Sequence, residues 1–134
     1  VESEAFNGAY KKNPYNFQHF NMSSVGLSVN GEAMPFKPLQ LSFGANSRFI
    51  EAFSTLISGT GKMYLDNGND ISRDEFANGN AIFAFDLTAD MCGSSPHFNT
   101  VQRGNLAVDI KFSVAPTTAV SLVCYGEFEN LISN

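Results

Sequence analysis

Tryptophan is absent from this 134-residue sequence, cysteine and histidine occur twice each, and only 16% of residues are charged. Each scarcity excludes something. Two cysteines, Cys92 and Cys124, can close at most one bridge, nothing in their spacing marks a disulfide framework or a four-ligand zinc site, and both are expected as reduced thiols. Eight basic residues against thirteen acidic ones give a net charge of -5. They are scattered as Lys11, Lys12, Lys37, Arg48, Lys62, Arg73, Arg103 and Lys111, with no stripe for a phosphate backbone, which argues against direct nucleic-acid binding. No apolar run approaches the ~20 residues of a membrane span. The start at Val1-Glu2-Ser3-Glu4 lacks the basic and apolar stretches of a signal peptide, so no targeting or anchoring is expected. Ordinary domains carry about 25% charged residues, and the shortfall points to surface covered by something other than water. What is abundant is phenylalanine, thirteen in all with four tyrosines. That load argues for a folded core and against disorder. The length suits one domain.

Two-residue alternation is the dominant pattern. Leu106, Val108, Ile110, Phe112 and Val114 alternate with Ala107, Asp109, Lys111 and Ser113, as in a half-buried strand. After Pro116-Thr117-Thr118, the run from Ala119 to Phe128 reads as its hairpin partner, with Val120, Leu122, Cys124 and Phe128 on one face. Val25, Leu27 and Val29 alternate and are followed by Asn30-Gly31, the dipeptide suited to a two-residue hairpin turn. The returning strand would run through Ala33 and Met34, limited by Pro35 and Pro38. Ala81-Ile82-Phe83-Ala84-Phe85-Asp86-Leu87 is apolar on both faces except at Asp86, as expected of a strand between layers. Two helices are predicted. In 46–58, Phe49, Ile50, Phe53, Leu56 and Ile57 recur at helical spacing, with Asn46 or Ser47 as cap and Gly59 as stop. In Ser72-Arg73-Asp74-Glu75 a capping box opens a short helix ended by Asn78-Gly79. The fold class expected from the pattern is all-β, an antiparallel β-sandwich or barrel with one or two short inserted helices.

Candidate chemistry is sparse. Asp66-Asn67-Gly68-Asn69-Asp70 resembles the start of a calcium loop, but the sixth and twelfth positions hold Ile71 and Ala77 where Gly and Glu are needed, so a turn and helix cap is the expected reading. Ser58-Gly59-Thr60-Gly61-Lys62 has Leu56 and Met63 where a phosphate loop needs Gly and Ser or Thr, and it follows a helix instead of preceding one. His19, in Tyr15-Asn16-Phe17-Gln18-His19-Phe20, is expected as a packed structural histidine among aromatics. Cys92 and His97 could form a dyad or half a metal site, but no elbow or third ligand accompanies them. Asp86, Asp90 and Asp109 could pair across strands, without a partner base in view. Asn21-Met22-Ser23 is a formal glycosylation sequon, expected to be unused. No catalytic residue, cofactor-binding residue or metal ligand is therefore assigned, and the chain is not expected to be an enzyme. Phe6, Tyr10, Tyr15, Phe17 and Phe20 with Pro14 form an aromatic-rich arm over residues 1–20, suited either to a sugar-binding platform or to packing against a neighbouring subunit. The shortage of charge over the whole chain favours the subunit contact.

Specific strings extend this reading. Ala5-Phe6-Asn7-Gly8-Ala9-Tyr10, then Asn13-Pro14-Tyr15-Asn16-Phe17-Gln18-His19-Phe20, resemble the C-terminal part of capsid proteins from Polinton or Maverick elements and the related adintoviruses. The resemblance continues through Val29-Asn30-Gly31, Thr60-Gly61-Lys62-Met63, Asn69-Asp70-Ile71-Ser72, Phe83-Ala84-Phe85-Asp86-Leu87-Thr88 and Tyr125-Gly126-Glu127-Phe128-Glu129-Asn130, spanning essentially the whole chain. It implies a double jelly-roll major capsid protein, with two sandwiches per subunit and three subunits per pseudohexagonal capsomer of an icosahedral shell. Residues 1–134 would be one jelly-roll domain, the C-terminal half of such a subunit, with 1–20 an arm or a truncated first strand. The partners implied are further copies of the chain, the upstream jelly-roll half and other capsid proteins such as the penton, with no direct nucleic acid and no membrane span. The location implied is the virion, assembled inside the host cell in nucleus or cytoplasm. The rival expectation is a soluble β-sandwich binding module for carbohydrate or a protein ligand, using Tyr15, Phe17 and Phe20.

Overall fold

Asn30 and Gly31 take φ angles of 53° and 86°, both in the left-handed region that a two-residue type I′ turn requires and that Asn and Gly tolerate best. The turn joins β1 (Met22–Val29) to β2 (Glu32–Gln40) as the antiparallel hairpin that the dipeptide predicts. These elements belong to a computed structural model that describes residues 1–44, 47–63, 68–93, 95–99 and 103–128, without the side chains of 34–36. A third strand, β3 (Leu106–Phe112), lies antiparallel to the other side of β1, so the sheet order is β2-β1-β3. The protein is thus β-rich with an antiparallel sheet and three short helices among the described residues.

Register sorts the faces. Val25, Leu27 and Val29 stand opposite Ile110, Val108 and Leu106, while Ser24, Gly26 and Ser28 stand opposite Lys111, Asp109 and Ala107. One face is therefore apolar and the other small and polar. Strict alternation would place Met22 with the serines. The register shifts between Met22 and Ser24, so that Met22 pairs with Phe112, and this bulge brings Met22 onto the apolar face, where it is buried in the core. On the other edge, Val25 pairs with Leu39 and Leu27 with Met34, leaving residues 35–38 opposite Gly26. Pro35 and Pro38 supply no N–H to a ladder, and a break falls there for that reason. A Cβ on Gly26 would meet the Pro38 ring at 3.2 Å.

Helix α1 (Ser3–Phe6) is a single turn, α2 (Ile50–Gly59) runs ten residues and α3 (Arg73–Ala77) five. Ser72 and Glu75 form the predicted capping box: the Glu75 N–H donates to the Ser72 hydroxyl and the Ser72 N–H donates to the Glu75 carboxylate. Helix α2 begins later than predicted. Its N-cap is Phe49 with no side-chain cap, Ser47 precedes the helix, and Asn46 lies outside the described residues. The buried stripe is Phe49, Ala52 and Leu56, with Phe53 and Ile57 half-buried, whereas Ile50 is exposed. The stripe is thus turned by one position from the predicted one. The cause is that Ala52 can approach the aromatic core closely, leaving Ile50 on the outer side.

Phenylalanine rings build that core. His19 stacks on Phe43 at 3.9 Å, Phe43 on Phe49 at 5.5 Å and Phe49 on Phe76 at 5.8 Å, while Phe53 and Phe83 meet Phe76 edge-on, each at 5.7 Å. The phenylalanine pairs lie at spacings that aromatic pairs prefer, and the His19 ring sits closer still on Phe43. Met22, Val25, Leu39 and Leu41 connect this cluster to the sheet.

Two predicted strands are corrected. Residues 119–128 do not return along 106–112; β3 pairs with β1 instead, whose Val25, Leu27 and Val29 match Ile110, Val108 and Leu106. Only Val120 bridges, and it does so to Glu2. The Val1 ammonium and Ser3 N–H donate to the carbonyls of Ser121 and Ala119, and the Ser121 N–H donates to the Val1 carbonyl. Residues 81–87 are half-buried except at the exposed Ile82, and they form no strand, apart from an Asn80 bridge to Phe17 next to them. They cross the end of α2, where a Cβ on Gly59 would meet the Ala84 carbonyl group at 3.0 Å, and pack Phe83, Ala84 and Phe85 on the core instead of on a neighbouring strand.

Candidate interaction surface

The residues considered for chemistry are dispersed or structurally occupied. His97 turns to Asp90, Nε2 to Oδ2 at 2.7 Å, with both side chains about half exposed. Cys92 joins this pair through its main-chain N–H, which donates to Asp90 Oδ1 at 3.2 Å and to the Thr88 hydroxyl at 3.0 Å; its thiol is free and exposed. The bond from His97 holds the Asp90 carboxyl below the usual carboxylate range, helped by the Cys92 N–H. Asp86 accepts from the Thr88 N–H, the Thr88 hydroxyl and the Gly93 N–H at 3.0, 2.7 and 2.8 Å. Partial burial pushes its carboxyl up, but the three bonds together outweigh this and leave it lowered. These bonds occupy the oxygens of both carboxylates and tie them to neighbouring loop residues. Asp109 stands apart on β3. No group of three or more His, Cys, Asp or Glu side chains among the described residues could hold a metal ion. Asp66 and Asn67 of the calcium-like string, and Ser94 beside His97, lie outside the described residues.

His19 is the structural histidine that its aromatic neighbours predict. Its Nδ1 accepts from the Asn21 N–H at 2.9 Å, which requires that nitrogen to be unprotonated, and burial lowers its pKa. It borders an open hollow of about 480 Å³ between residues 16–21 and 77–79, lined by amides as much as by apolar atoms. The proposed aromatic platform does not gather there. Tyr15 is exposed, Phe17 is half-buried and tied by main-chain bonds to Gly79 and Ala81, and Phe20 is half-buried at φ 46° in a left-handed turn with Asn21. Lys12 binds Glu2 at 2.7 Å and Glu4 at 2.9 Å, folding the arm back on itself.

The distinctive feature is apolar surface. Leu106, Val108, Phe112 and Val114 are 52, 39, 37 and 63% exposed, and Leu122, Val123, Tyr125 and Phe128 beyond them are exposed as well. A contiguous apolar face on a strand is the usual mark of an interaction surface. Alternation in the sequence located these residues; it could not say that no layer of the described residues covers them.

No helix is long and apolar enough to cross a membrane among the described residues. No family model matches the chain, and no solved structure matches it. It is similar to a Caenorhabditis elegans protein described as uncharacterized, 29% identical over 137 residues that cover 99% of this chain and 32% of that protein. The chain therefore spans about a third of the length of this relative.

Proposed function

We propose that this chain is a structural assembly subunit: a jelly-roll domain of a double jelly-roll major capsid protein of the Polinton, Maverick or adintovirus type, working in trimeric capsomers of a virion assembled inside the host cell. The observation that carries the reading is the exposed apolar row Leu106, Val108, Phe112 and Val114 along and just beyond β3. A subunit enclosed by several neighbours, including an upstream jelly-roll half and further copies, accounts for that uncovered row. The low charge and the family strings agree with it, and the loop carboxylates and histidines are occupied in structural bonds.

The test is particle size and shape. Sedimentation and negative-stain electron microscopy of the purified protein are expected to give trimers, multiples of trimers or closed shells. A species that builds nothing larger than a dimer, alone or with the rest of its subunit, refutes the reading.

A further inference from the structure

The two outer edges of the sheet are unlike. Strand β2 carries Pro35, Lys37 and Pro38, and its ladder to β1 breaks register there; proline and lysine on an edge strand are features that keep foreign strands from pairing. On β3 the open edge carries no proline, and no other described element packs against it besides β1. The Asn30 N–H donates to the Asn105 carbonyl and the Ser113 N–H to the Asn21 carbonyl, both at 2.9 Å. Odd-numbered residues of β3 therefore turn their main-chain groups to β1. In an antiparallel ladder the N–H and C=O of one residue share a side, so Leu106, Val108, Ile110 and Phe112 direct theirs outward.

We propose that the β3 edge pairs antiparallel with β3 of a second copy, about a two-fold axis at Ile110, joining two three-stranded sheets into one of six. Charge selects both the occupant and the register. Asp109 and Lys111 lie opposite Gly26 and Ser24 on β1, which offer no countercharge, and neither makes an ion pair among the described residues. An axis at Ile110 sets each Asp109 directly opposite the second copy's Lys111 in a non-hydrogen-bonded pair, where side chains approach most closely. An axis at Asp109 would oppose two aspartates and one at Lys111 two lysines, while an axis at Val108 would leave all four charges without partners. The same register sets Val108 against the second copy's Phe112 and Ile110 against its own image, covering apolar surface that is now exposed at Val108 and Phe112. The pairing rests on this edge alone and not on the capsid reading: dimers without trimers or shells would sink the latter and leave the former standing.

A charge-swap mixture tests it. Asp109→Lys opposes lysines across the axis, and Lys111→Asp opposes aspartates, so each variant alone is expected to raise the dimer dissociation constant on the order of tenfold in sedimentation equilibrium at low salt. Mixed together, the two variants set a pair of lysines on one chain against a pair of aspartates on the other, and the mixture is expected to regain wild-type mass. Val108→Pro removes one outward N–H without touching the β1 ladder, so a variant that melts like the wild type is expected to stay monomeric. A wild-type protein with no dimer contact, single variants that associate as the wild type does, or a mixture no better than its components each overturn the proposal. A folded Val108→Pro that still dimerises overturns it too.

Discussion

Among the described residues Phe76 is the largest fully buried side chain, with no exposed surface and three phenylalanine neighbours within 5.8 Å. Replacing it by alanine removes a ring whose space the surrounding rings cannot fill, because Phe49 is fixed by its stack on Phe43 and Phe53 by the helix. Such truncations cost about 3 to 5 kcal/mol. For a chain of 134 residues the unfolding entropy near 60 °C is about 0.28 kcal/mol per degree, so Phe76→Ala should lower Tm by about 11 to 18 °C. The fold should still form at low temperature, since domains of this size have a stability of about 5 to 15 kcal/mol. Calorimetry or circular-dichroism melting against Phe6→Ala, whose ring is exposed, isolates the burial effect; the control should move Tm by about 2 °C or less. If Phe76→Ala melts within about 3 °C of the wild type, the aromatic cluster is not the core and the account of how α2, α3 and residues 81–87 hold together fails.

Replacing Asn30-Gly31 by Val-Val should unfold the hairpin or cost about 2 to 4 kcal/mol, because β-branched residues resist the left-handed region and the Asn30 side chain no longer accepts from the Asn105 N–H; Asp-Gly should melt like the wild type. Ser72→Ala should cost about 1 kcal/mol through the lost cap, read as a Tm drop of about 3 to 4 °C. Bonds from the Ser72 N–H and hydroxyl lower the Glu75 carboxyl, so its support for the cap is present above its unfolded value of 4.5 and is lost as pH falls through the lowered folded value; a Glu75→Gln variant should not show that loss. Burial lowers His19, so the unfolded chain binds its proton more readily, and stability should decline as pH drops below 6.5 toward the folded value. His19→Asn keeps an acceptor for the Asn21 N–H and should remove this component from urea midpoints measured at about pH 7 and 5.5, whereas an unchanged slope would place the titration elsewhere. A glycan array should be flat, and binding abolished by Tyr15→Ala would favour the rival sugar-binding reading.

What the sequence determined by itself is local. Asn30-Gly31 specifies a turn through backbone angles that other residues avoid, and Ser72 with Glu75 specifies a helix start through bonds spanning three residues. Alternation from Leu106 to Phe112 specifies a strand and its apolar side. None of these needs a distant partner, and all three are present in the structure. The tertiary structure decided everything that depends on who lies opposite. It gave β3 to β1, nearly eighty residues away, and sent 119–121 to the N-terminus. It used a bulge to turn Met22 inward, chose Ala52 over Ile50 as the buried side of α2, and packed 81–87 as an unpaired segment over Gly59. Strand propensity is satisfied by any matching edge and an apolar stripe by any apolar layer, so such choices fall to the geometry of the whole core. The same limit explains why the exposed apolar surface is not readable from the sequence. The scarcity of charge forecasts that surface is covered, and only the packed chain reveals that the cover is not supplied by its own described residues.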